Sequence, residues 1–240
     1  MSLELARLAS SAPPVEPAEQ EWIERIEAIR ERLAGSEERV SFVDYGAGTP
    51  DAGLSRDVMR AGRRRDMTIG EICRVASKRR AAATFLFRLV RLTRPRSCLE
   101  LGTSVGISAA YQAAALHLNG VGRLVTLEGA AAVAAIAAAT LAELGLADVE
   151  IVTGRFEDTL AGVIEGASPF DYVFLDGHHD EEATIGYVRR LFPAVTAGGL
   201  LVLDDIRWSE GMQRAWHTVQ GEPQVAGSVD LGDMGVLQAR

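Results

Sequence analysis

Acidic and imidazole side chains follow two apolar segments in the second half of the chain. Asp176, His178 and His179 come at the end of the first segment (FDYVFLD), and Asp204 and Asp205 come at the end of the second (GLLVLD). Carboxylates gathered at one place repel one another unless a cation joins them. Oxygen ligands favour a hard ion such as Mg²⁺ over zinc. The pattern therefore predicts a magnesium-type site on Asp176, Asp204 and Asp205. The alternative is that Asp204 or Asp205 caps the next helix and that His178 faces solvent.

A glycine-rich turn stands earlier in the chain, in the stretch ELGTSVGIS that begins at Glu100. Gly102 and Gly106 allow a tight turn that approaches a ligand closely. The Gly-x-x-x-Gly spacing differs from the Gly-x-Gly-x-x-Gly turn of dinucleotide sites. Glu100 would repel a pyrophosphate and attract an amino-acid ammonium group. We expect this turn to bind such a ligand; the alternative is a turn that only packs.

Two further segments end in residues suited to a nucleoside. Glu128 closes the segment RLVTLE, and an acid at that position accepts hydrogen bonds from ribose hydroxyls. Phe156 and Glu157 follow the next apolar segment, where an aromatic group beside a polar one suits the edge of an adenine. Glu128 could instead be a solvated residue, and Phe156 could belong to the core.

These residues need a scaffold that brings the ends of the apolar segments together. Short apolar segments alternate with helical segments after Pro95, which is typical of a doubly wound α/β sheet with parallel strands. Such sheets bind ligands at the carboxyl ends of their strands. The predicted strands are 97–101, 123–128, 149–153, 170–176 and 199–204, with a closing hairpin in 223–240. The predicted helices are 108–118, 130–144, 159–164, 181–192 and 210–220.

The N-terminal part predicts a helical extension. Residues 1–20 are expected to form a loose leader, and the spacing of apolar residues predicts a helix over 18–34, with its stripe on Trp22, Ile26, Ile29 and Leu33. That stripe would dock on the same domain or on a second subunit, which would make a homo-oligomer. The segment 40–66 is expected to be irregular. We divide the chain into an N-terminal leader, helix and lid segment, 1–66, and a ligand-binding domain, 67–240.

Two sequence patterns near the boundary between residues 66 and 67 predict local structure. The stretch Asp44–Gly48 looks like a second ligand loop, but no helix follows it, so we interpret it as a lid or wall of the site. Thr68 and Glu71 have the spacing of a capping box at the start of a helix. Another helix is predicted over 78–92, ending before Pro95.

Composition and charge exclude several classes of protein. The formal net charge is −8; residues 1–98 hold 18 basic against 14 acidic residues, and residues 99–240 hold 7 against 19. The acidic second part is a poor surface for nucleic acid. The apolar run 130–139 is too short to span a membrane, and the N-terminus does not resemble a signal peptide. Cys73 and Cys98 imply no disulfide framework, so we expect a cytoplasmic protein.

The motifs resemble class I S-adenosylmethionine-dependent methyltransferases over about residues 68–240. The stretch Glu100–Ala109 is similar to the motif of the catechol O-methyltransferase-like branch. Asp176 and His179 with Asp204 and Asp205 are similar to the metal site of bacterial macrolide-sugar O-methyltransferases. The resemblance implies a Rossmann-like methyltransferase fold whose sheet has seven strands.

The resemblance also implies a role for each matching residue. Gly102, Thr103, Ser104 and Ser108 would line the methionine part of the cofactor, and Glu128 and Gly129 would hold the ribose. Phe156 and Glu157 would flank the adenine, with His178 nearby, and Asp176 would sit near the sulfonium. Asp176, Asp204 and Asp205 would bind the metal, with His179 as the general base. Catechol-type enzymes have a lysine near the base position, and the only lysine here is Lys78, which favours a histidine base.

We therefore expect an S-adenosylmethionine-dependent O-methyltransferase that uses Mg²⁺ and acts on the hydroxyl of a small molecule, with no nucleic-acid or membrane partner. The first alternative is a metal-free methyltransferase acting on nitrogen or oxygen. Alternatives of another class are an NAD-dependent dehydrogenase and a cofactor-binding protein without catalytic activity. The Gly-x-x-x-Gly spacing after Glu100 separates our expectation from the dehydrogenase.

Overall fold

The computed structural model of the chain describes residues 2–11, 16–46, 54–146 and 148–240. Its helices are α1 (Ser2–Ser11), α2 (Pro17–Ala34), α3 (Arg56–Ala61), α4 (Ile69–Ala76), α5 (Arg80–Thr93), α6 (Ile107–Asn119), α7 (Ala131–Leu144), α8 (Phe156–Ala167), α9 (Glu181–Leu191) and α10 (Glu210–Gln220). Its strands are β1 (Arg39–Asp44), β2 (Arg63–Thr68), β3 (Ser97–Leu101), β4 (Arg123–Glu128), β5 (Val149–Thr153), β6 (Phe170–Leu175), β7 (Val195–Leu203), β8 (Val225–Asp230) and β9 (Gly235–Ala239).

A seven-stranded sheet organises the molecule, in the order β5-β4-β3-β6-β7-β9-β8. The five strands from β5 to β7 are parallel, and β9 is antiparallel to both β7 and β8. The predicted fold class, a mostly parallel seven-stranded sheet, is confirmed. The chain runs outward from β3 to β5 and then returns to β6, so the direction of winding switches between β3 and β6. A ligand site is expected at the carboxyl ends of these strands.

Helices cover both faces of the sheet because its strands are apolar on both sides. On one face, side chains such as Cys98, Tyr172 and Phe174 pack in a cluster with α1, α2, α4, α5 and α6. On the other face, Leu99 and Leu101 belong to a second cluster with α8, α9 and α10. Burial on both faces explains why these strands read as continuous apolar segments rather than as alternating ones.

The first residues of the chain are helical, which corrects the expectation of a loose leader over 1–20. In α1, Ala6 and Ala9 are fully buried, and the helix packs against α5 and the edge strand β8. The prolines that suggested a loose segment, Pro13 and Pro14, lie outside the described residues. The small side chains of these alanines let α1 approach α5 closely.

The segment 40–66 contains two strands and a helix, which corrects the expectation of an irregular segment. Strands β1 and β2 pair antiparallel, with Asp44 opposite Arg63, and α3 lies between them in the chain. The Arg63 and Asp44 side chains also pair, at 3.2 Å. Cross-strand pairs of opposite charge stabilise a sheet, but the run RRRDMT is too polar to be read as a strand. The part of the predicted lid loop up to Gly46 is described, and Gly48 lies outside the described residues.

Helix α2 docks on its own chain. Ile23, Ile26, Ile29 and Leu33 are buried against α4 and α6, and Trp22 packs beside His117 with ring centroids 5.2 Å apart. The predicted apolar stripe is therefore used within the chain, and α2 presents no such stripe for a second subunit. The expected division between residues 66 and 67 falls inside β2. Within the described residues, no helix is long and apolar enough to cross a membrane.

Candidate active site

A cavity of about 580 Å³ opens over the carboxyl ends of β3, β4 and β6. This volume lies in the range of small-molecule and cofactor sites. The β1–β2 hairpin covers it from above, and the strand ends form its floor. Its lining includes, from the hairpin and its surroundings, Phe42, Asp44, Tyr45, Met59, Arg63, Arg65, Met67 and Lys78, and, from the strand ends, Gly102, Ser104, Glu128, Gly129, Phe156, Glu157, Asp176, His178, His179 and Asp205.

The floor is built around a close approach at the switch point. A Cβ atom on Gly102 would lie 1.8 Å from the carbonyl oxygen of Asp176, and Gly102 has a φ of +107°. Only glycine fits this position, because any side chain would collide with the loop after β6 and strain the backbone. The turn after β3 and the loop after β6 are thereby locked together.

The turn after β3 is held by the acid at the end of β4. Glu128 accepts hydrogen bonds from the backbone N–H groups of Ser104, at 2.8 Å, and Ala130, at 2.9 Å. Burial raises the pKa of Glu128. The hydroxyl of Ser104 is buried on the cavity side and has no hydrogen-bond partner among the described residues. An unpartnered hydroxyl beside a carboxylate suits a ligand with polar groups, as expected for the ribose and methionine parts of the cofactor.

Glu100 lies behind the floor, which corrects the expectation that it meets the cofactor directly. Its carboxylate is fully buried and accepts hydrogen bonds from Gln112, at 2.7 Å, and Thr126, at 2.6 Å. Burial raises the pKa of Glu100 to about 7. Thr103 and Ser108 are also buried and do not line the cavity. The side chain of a strand residue points to one face of the sheet, and both faces of β3 are buried.

Glu100 gives a testable pH dependence. Its pKa is raised in the folded state from 4.5 to about 7, so the native protein binds this proton more tightly than the unfolded chain does. The protonated Glu100 therefore raises the free energy of unfolding at acidic pH. This contribution, about 3 kcal/mol at 1.36 kcal/mol per pKa unit, is lost as pH rises through 7. Glu100→Gln should remove this slope.

The measurement is urea unfolding of the wild type and the variant between pH 5 and pH 8. The difference in slope is the readout, because a constant offset from altered hydrogen bonds to Gln112 and Thr126 does not depend on pH. Parallel stability curves for the two proteins would contradict the assignment.

Aromatic side chains form the wall at the end of β5. The Phe156 ring meets the Tyr187 ring edge to face, with centroids 5.8 Å apart, and it packs against Gly177, where a Cβ would lie 2.9 Å from the ring. His178 Nδ1 lies 2.9 Å from the Tyr187 hydroxyl. Glu157 is more exposed and approaches Arg60 at 3.9 Å. This wall presents an apolar ring with polar neighbours.

The three strand-end carboxylates converge as expected, but around a cation of the chain itself. The ammonium nitrogen of Lys78 lies 3.1 Å from Asp176 Oδ1 and 3.9 Å from Asp205 Oδ2, and it hydrogen-bonds to Asp204 Oδ2. Asp204 is buried, with 3% of its side chain exposed. Burial raises the pKa of Asp176, and Lys78 and His179 oppose that rise. The sequence-based expectation left Lys78 out of this cluster.

His179 stands beside the carboxylates at the cavity wall. Its Nε2 lies 3.8 Å from Asp176 Oδ1 and 3.6 Å from Asp205 Oδ2, and its ring faces Trp208 with centroids 5.5 Å apart. Burial lowers the pKa of His179, while Asp176 and Asp205 oppose that shift. A neutral imidazole is a proton acceptor, so His179 can serve as a base.

Backbone strain is concentrated in this region. Among the non-glycine residues that the structure describes, those with positive φ are Arg94 at a helix end and four site residues: Ser104, His178, His179 and Asp205. Each such position costs about 1–3 kcal/mol and persists only where the surroundings enforce it. The tight turns aim the side chains at the cavity.

Residues that line the cavity from outside the sheet had weaker signals in the sequence. Tyr45 and Arg63 belong to the hairpin, whose charged strands were not recognised. Lys78 lies in the short connection between α4 and α5, and its one available signal was its rarity, since the chain has no other lysine. The negative charges of Asp176 and Asp204 need a positive partner, and this need could have suggested Lys78.

Comparisons of sequence agree with this architecture. Residues 99–206 match the Methyltransf_24 family, described as a methyltransferase domain. A catechol O-methyltransferase of Niastella koreensis is 37% identical over 124 residues, covering 51% of this chain and 54% of that protein. A catechol O-methyltransferase of Mycobacterium tuberculosis is 35% identical over 123 residues, covering 51% and 53%. The chain thus spans about half the length of the curated relatives it matches.

Solved structures of methyltransferases share the fold of this chain. The O-methyltransferase TomG of Streptomyces achromogenes, involved in tomaymycin synthesis and solved in complex with SAM, has a TM-score of 0.59 and 28% identity, covering 68% of this chain and 81% of that one. An SAH-bound methyltransferase of Podospora anserina shares the fold at a TM-score of 0.61 and 16% identity, over 95% and 100% of the two chains. The residues matched by the family model, 99–206, include the glycine turn and all three strand-end acids, so the part of the chain that forms the site is similar to methyltransferase domains.

Proposed function

We propose that the protein transfers a methyl group from S-adenosylmethionine to a hydroxyl oxygen of a small molecule. The observation that carries this proposal is one cavity at the strand ends that is lined both by the Phe156 wall, which suits a nucleoside, and by the imidazole of His179. The names of the relatives, catechol O-methyltransferases and an O-methyltransferase bound to SAM, support the same reaction.

The cofactor would lie along the strand ends. The turn at Gly102 and Ser104 would receive the methionine part, because its backbone approaches closely and its hydroxyl lacks a partner. Glu128 and Gly129 would face the ribose. The wall of Phe156, Glu157 and His178 would take the adenine, and Asp176 would lie near the sulfonium. Glu100, Thr103 and Ser108 would support this floor from behind.

The residues of the chain would then perform three tasks. S-adenosylmethionine, when bound, supplies a methyl group on a positively charged sulfur that becomes a neutral thioether when the methyl leaves. His179 accepts the proton of the acceptor hydroxyl, so that the oxygen forms the new bond to carbon as the bond from carbon to sulfur breaks. The hairpin residues Tyr45 and Met67 cover the cavity and exclude water. Holding the two reactants in line supplies much of the acceleration.

A divalent metal such as Mg²⁺ is a second candidate component of this site. Asp176, His179 and Asp205 each offer a ligand atom within 4.8 Å of the others, and the sequence resemblance implies a metal. These residues do not fit a metal ion, because the Lys78 ammonium already lies among the carboxylates and bonds to Asp204. The proposed reaction therefore has no step that depends on a metal.

The alternatives make different demands on the same site. A methyltransferase acting on nitrogen would bind an amine at the carboxylates and would need no base of the strength of His179. A dehydrogenase would need a pyrophosphate at the turn after β3, where Glu128 closes the site with a carboxylate. A small molecule remains the proposed acceptor, with no nucleic-acid partner. The free thiols of Cys73 and Cys98 support the proposed cytoplasmic location.

Cofactor binding tests the proposal directly. Glu128→Ala should weaken binding of S-adenosylhomocysteine by about 1–3 kcal/mol, the range for a lost hydrogen bond to a charged group. The expected loss also includes a looser turn, because Glu128 holds the Ser104 backbone. Isothermal titration calorimetry with S-adenosylhomocysteine and with NAD is the measurement.

The control is Arg189→Ala, which removes an exposed ion pair with Glu222 on the opposite side of α9 from the cavity lining. Its affinity for S-adenosylhomocysteine should match that of the wild type. Tight binding of NAD together with no response to S-adenosylhomocysteine would exclude the proposed function.

A further inference from the structure

The centre of the strand-end cluster is occupied by an ammonium group. Lys78 Nζ lies within 3.1 Å of Asp176 and 3.9 Å of Asp205 and bonds to Asp204. We infer that Lys78 is the resident cation of this cluster and replaces the divalent metal that the resemblance implies, so that methyl transfer here is metal-independent. The inference rests on the proposed function for its catalytic part, but the identity of the cation is tested separately.

The Asp176 and Asp204 carboxylates are largely buried together with Lys78, so they have room for one cation only. With 3% of its side chain exposed, Asp204 has little contact with solvent, and Lys78 is itself only 14% exposed. Buried charges must be paired. A divalent ion would bind carboxylate oxygens at about 2.0–2.6 Å, in the space where the Lys78 nitrogen meets Asp176 and Asp204. Two cations this close would repel, so the sites are mutually exclusive.

The position of Lys78 is fixed by the fold rather than by its own flexibility. Its residue lies between α4 and α5, and both helices are anchored in the core by side chains such as Ile72 and Phe87. The carbonyl oxygen of Lys78 also accepts a hydrogen bond from the guanidinium of Arg30 on α2. The backbone is held on both sides, and the side chain reaches the strand ends from there.

The same geometry gives the Lys78 ammonium a role in binding the acceptor. A lysine ammonium has three N–H donors, and Asp176 and Asp204 accept within hydrogen-bond distance. Lys78 lines the cavity together with His179 and Asp205, so its third N–H is available to the oxygen of an acceptor hydroxyl. Lys78 would position that oxygen and favour its negative charge while His179 takes the proton.

The first experiment asks whether the wild-type protein binds a metal. Mn²⁺ is the probe, titrated into the protein and followed by electron paramagnetic resonance of the free ion. We expect no stoichiometric binding, and turnover with EDTA equal to turnover with added Mg²⁺. Because Lys78 is the only lysine in the sequence, ¹⁵N-lysine labelling gives a single side-chain signal, which Mn²⁺ at one equivalent should leave unbroadened.

The second experiment removes the ammonium. Lys78→Met should open the cluster, so that Mn²⁺ binds with one-to-one stoichiometry and Mg²⁺ raises the melting temperature in proportion to its saturation of the site. Lys78→Arg is the matched control, because it keeps the positive charge and should gain no affinity for Mn²⁺. A folded Lys78→Met protein that ignores Mn²⁺ would count against the inference.

The outcomes separate this inference from the proposed function. Stoichiometric Mn²⁺ binding by the wild type, with turnover lost in EDTA, would overturn it even if the Lys78→Met protein failed to fold. Calorimetry with S-adenosylhomocysteine on the same wild-type samples tests the function independently. If the wild type binds neither Mn²⁺ nor S-adenosylhomocysteine, the inference about Lys78 stands and the proposed methyltransferase function is wrong.

Discussion

Replacing Lys78 with methionine is expected to lower the free energy of unfolding by about 3–5 kcal/mol in the absence of divalent metal, the usual loss when one partner of a buried ion pair is removed. Methionine keeps most of the length and apolar surface of the lysine stem, so the expected loss comes from the charge. Asp204, with 3% of its side chain exposed, would be left without the cation that it bonds to. Urea unfolding followed by circular dichroism, with EDTA present, is the measurement.

A double-mutant cycle isolates the pair. Asp204→Asn removes the buried negative charge, so the double variant Lys78→Met with Asp204→Asn should recover part of the stability lost by Lys78→Met alone. A single-variant loss below about 1 kcal/mol, the range of exposed pairs, would show that the ammonium does not hold this cluster. The slope of the urea curve must stay unchanged for the comparison to be valid.

The fold could be predicted because the strands of the main sheet can be recognised from their own short segments of sequence. The segments 97–101, 123–128 and 149–153 are strands at the predicted bounds, since short apolar runs between helices have few other stable uses. The β1–β2 hairpin could not be predicted in this way. Its strand 63–68 is stabilised by cross-strand charge pairs such as Arg63 with Asp44, and these depend on a partner that is distant in the sequence.

The candidate site was predictable to the extent that it lies at strand ends. Asp176 and Asp205 meet at the cavity because parallel topology gathers the ends of neighbouring strands at one edge. Glu100 was misplaced because sequence alternation does not reveal the direction of a side chain in a strand that is buried on both faces. Lys78 was missed as a partner because it reaches the site from a connection outside the sheet, where no strand pattern gives its position.

The role of His179 leads to the largest expected effect on turnover. His179→Ala should lower kcat by about 10²–10⁴-fold, the usual contribution of a general base. Nε2 of His179 lies at the cavity wall beside Asp176 and Asp205, and burial lowers the pKa of the ring, which favours the neutral form that accepts a proton. Binding of S-adenosylhomocysteine should stay within a few-fold of the wild type, because His179 is not among the residues proposed to hold the cofactor.

Three comparisons distinguish a base from a structural residue. His179 has a φ of +47°, which alanine tolerates poorly and asparagine tolerates well, so His179→Asn should lose turnover to the same extent without the added strain. Added imidazole should restore part of the turnover of His179→Ala, since it can enter the space left by the ring and take the proton. His178→Ala is the matched control: its ring bonds to Tyr187 rather than facing the carboxylates, and its kcat should fall much less. A His179→Asn enzyme that turns over at the wild-type rate would assign the proton to another group, and the imidazole beside Trp208 would then have only a packing role.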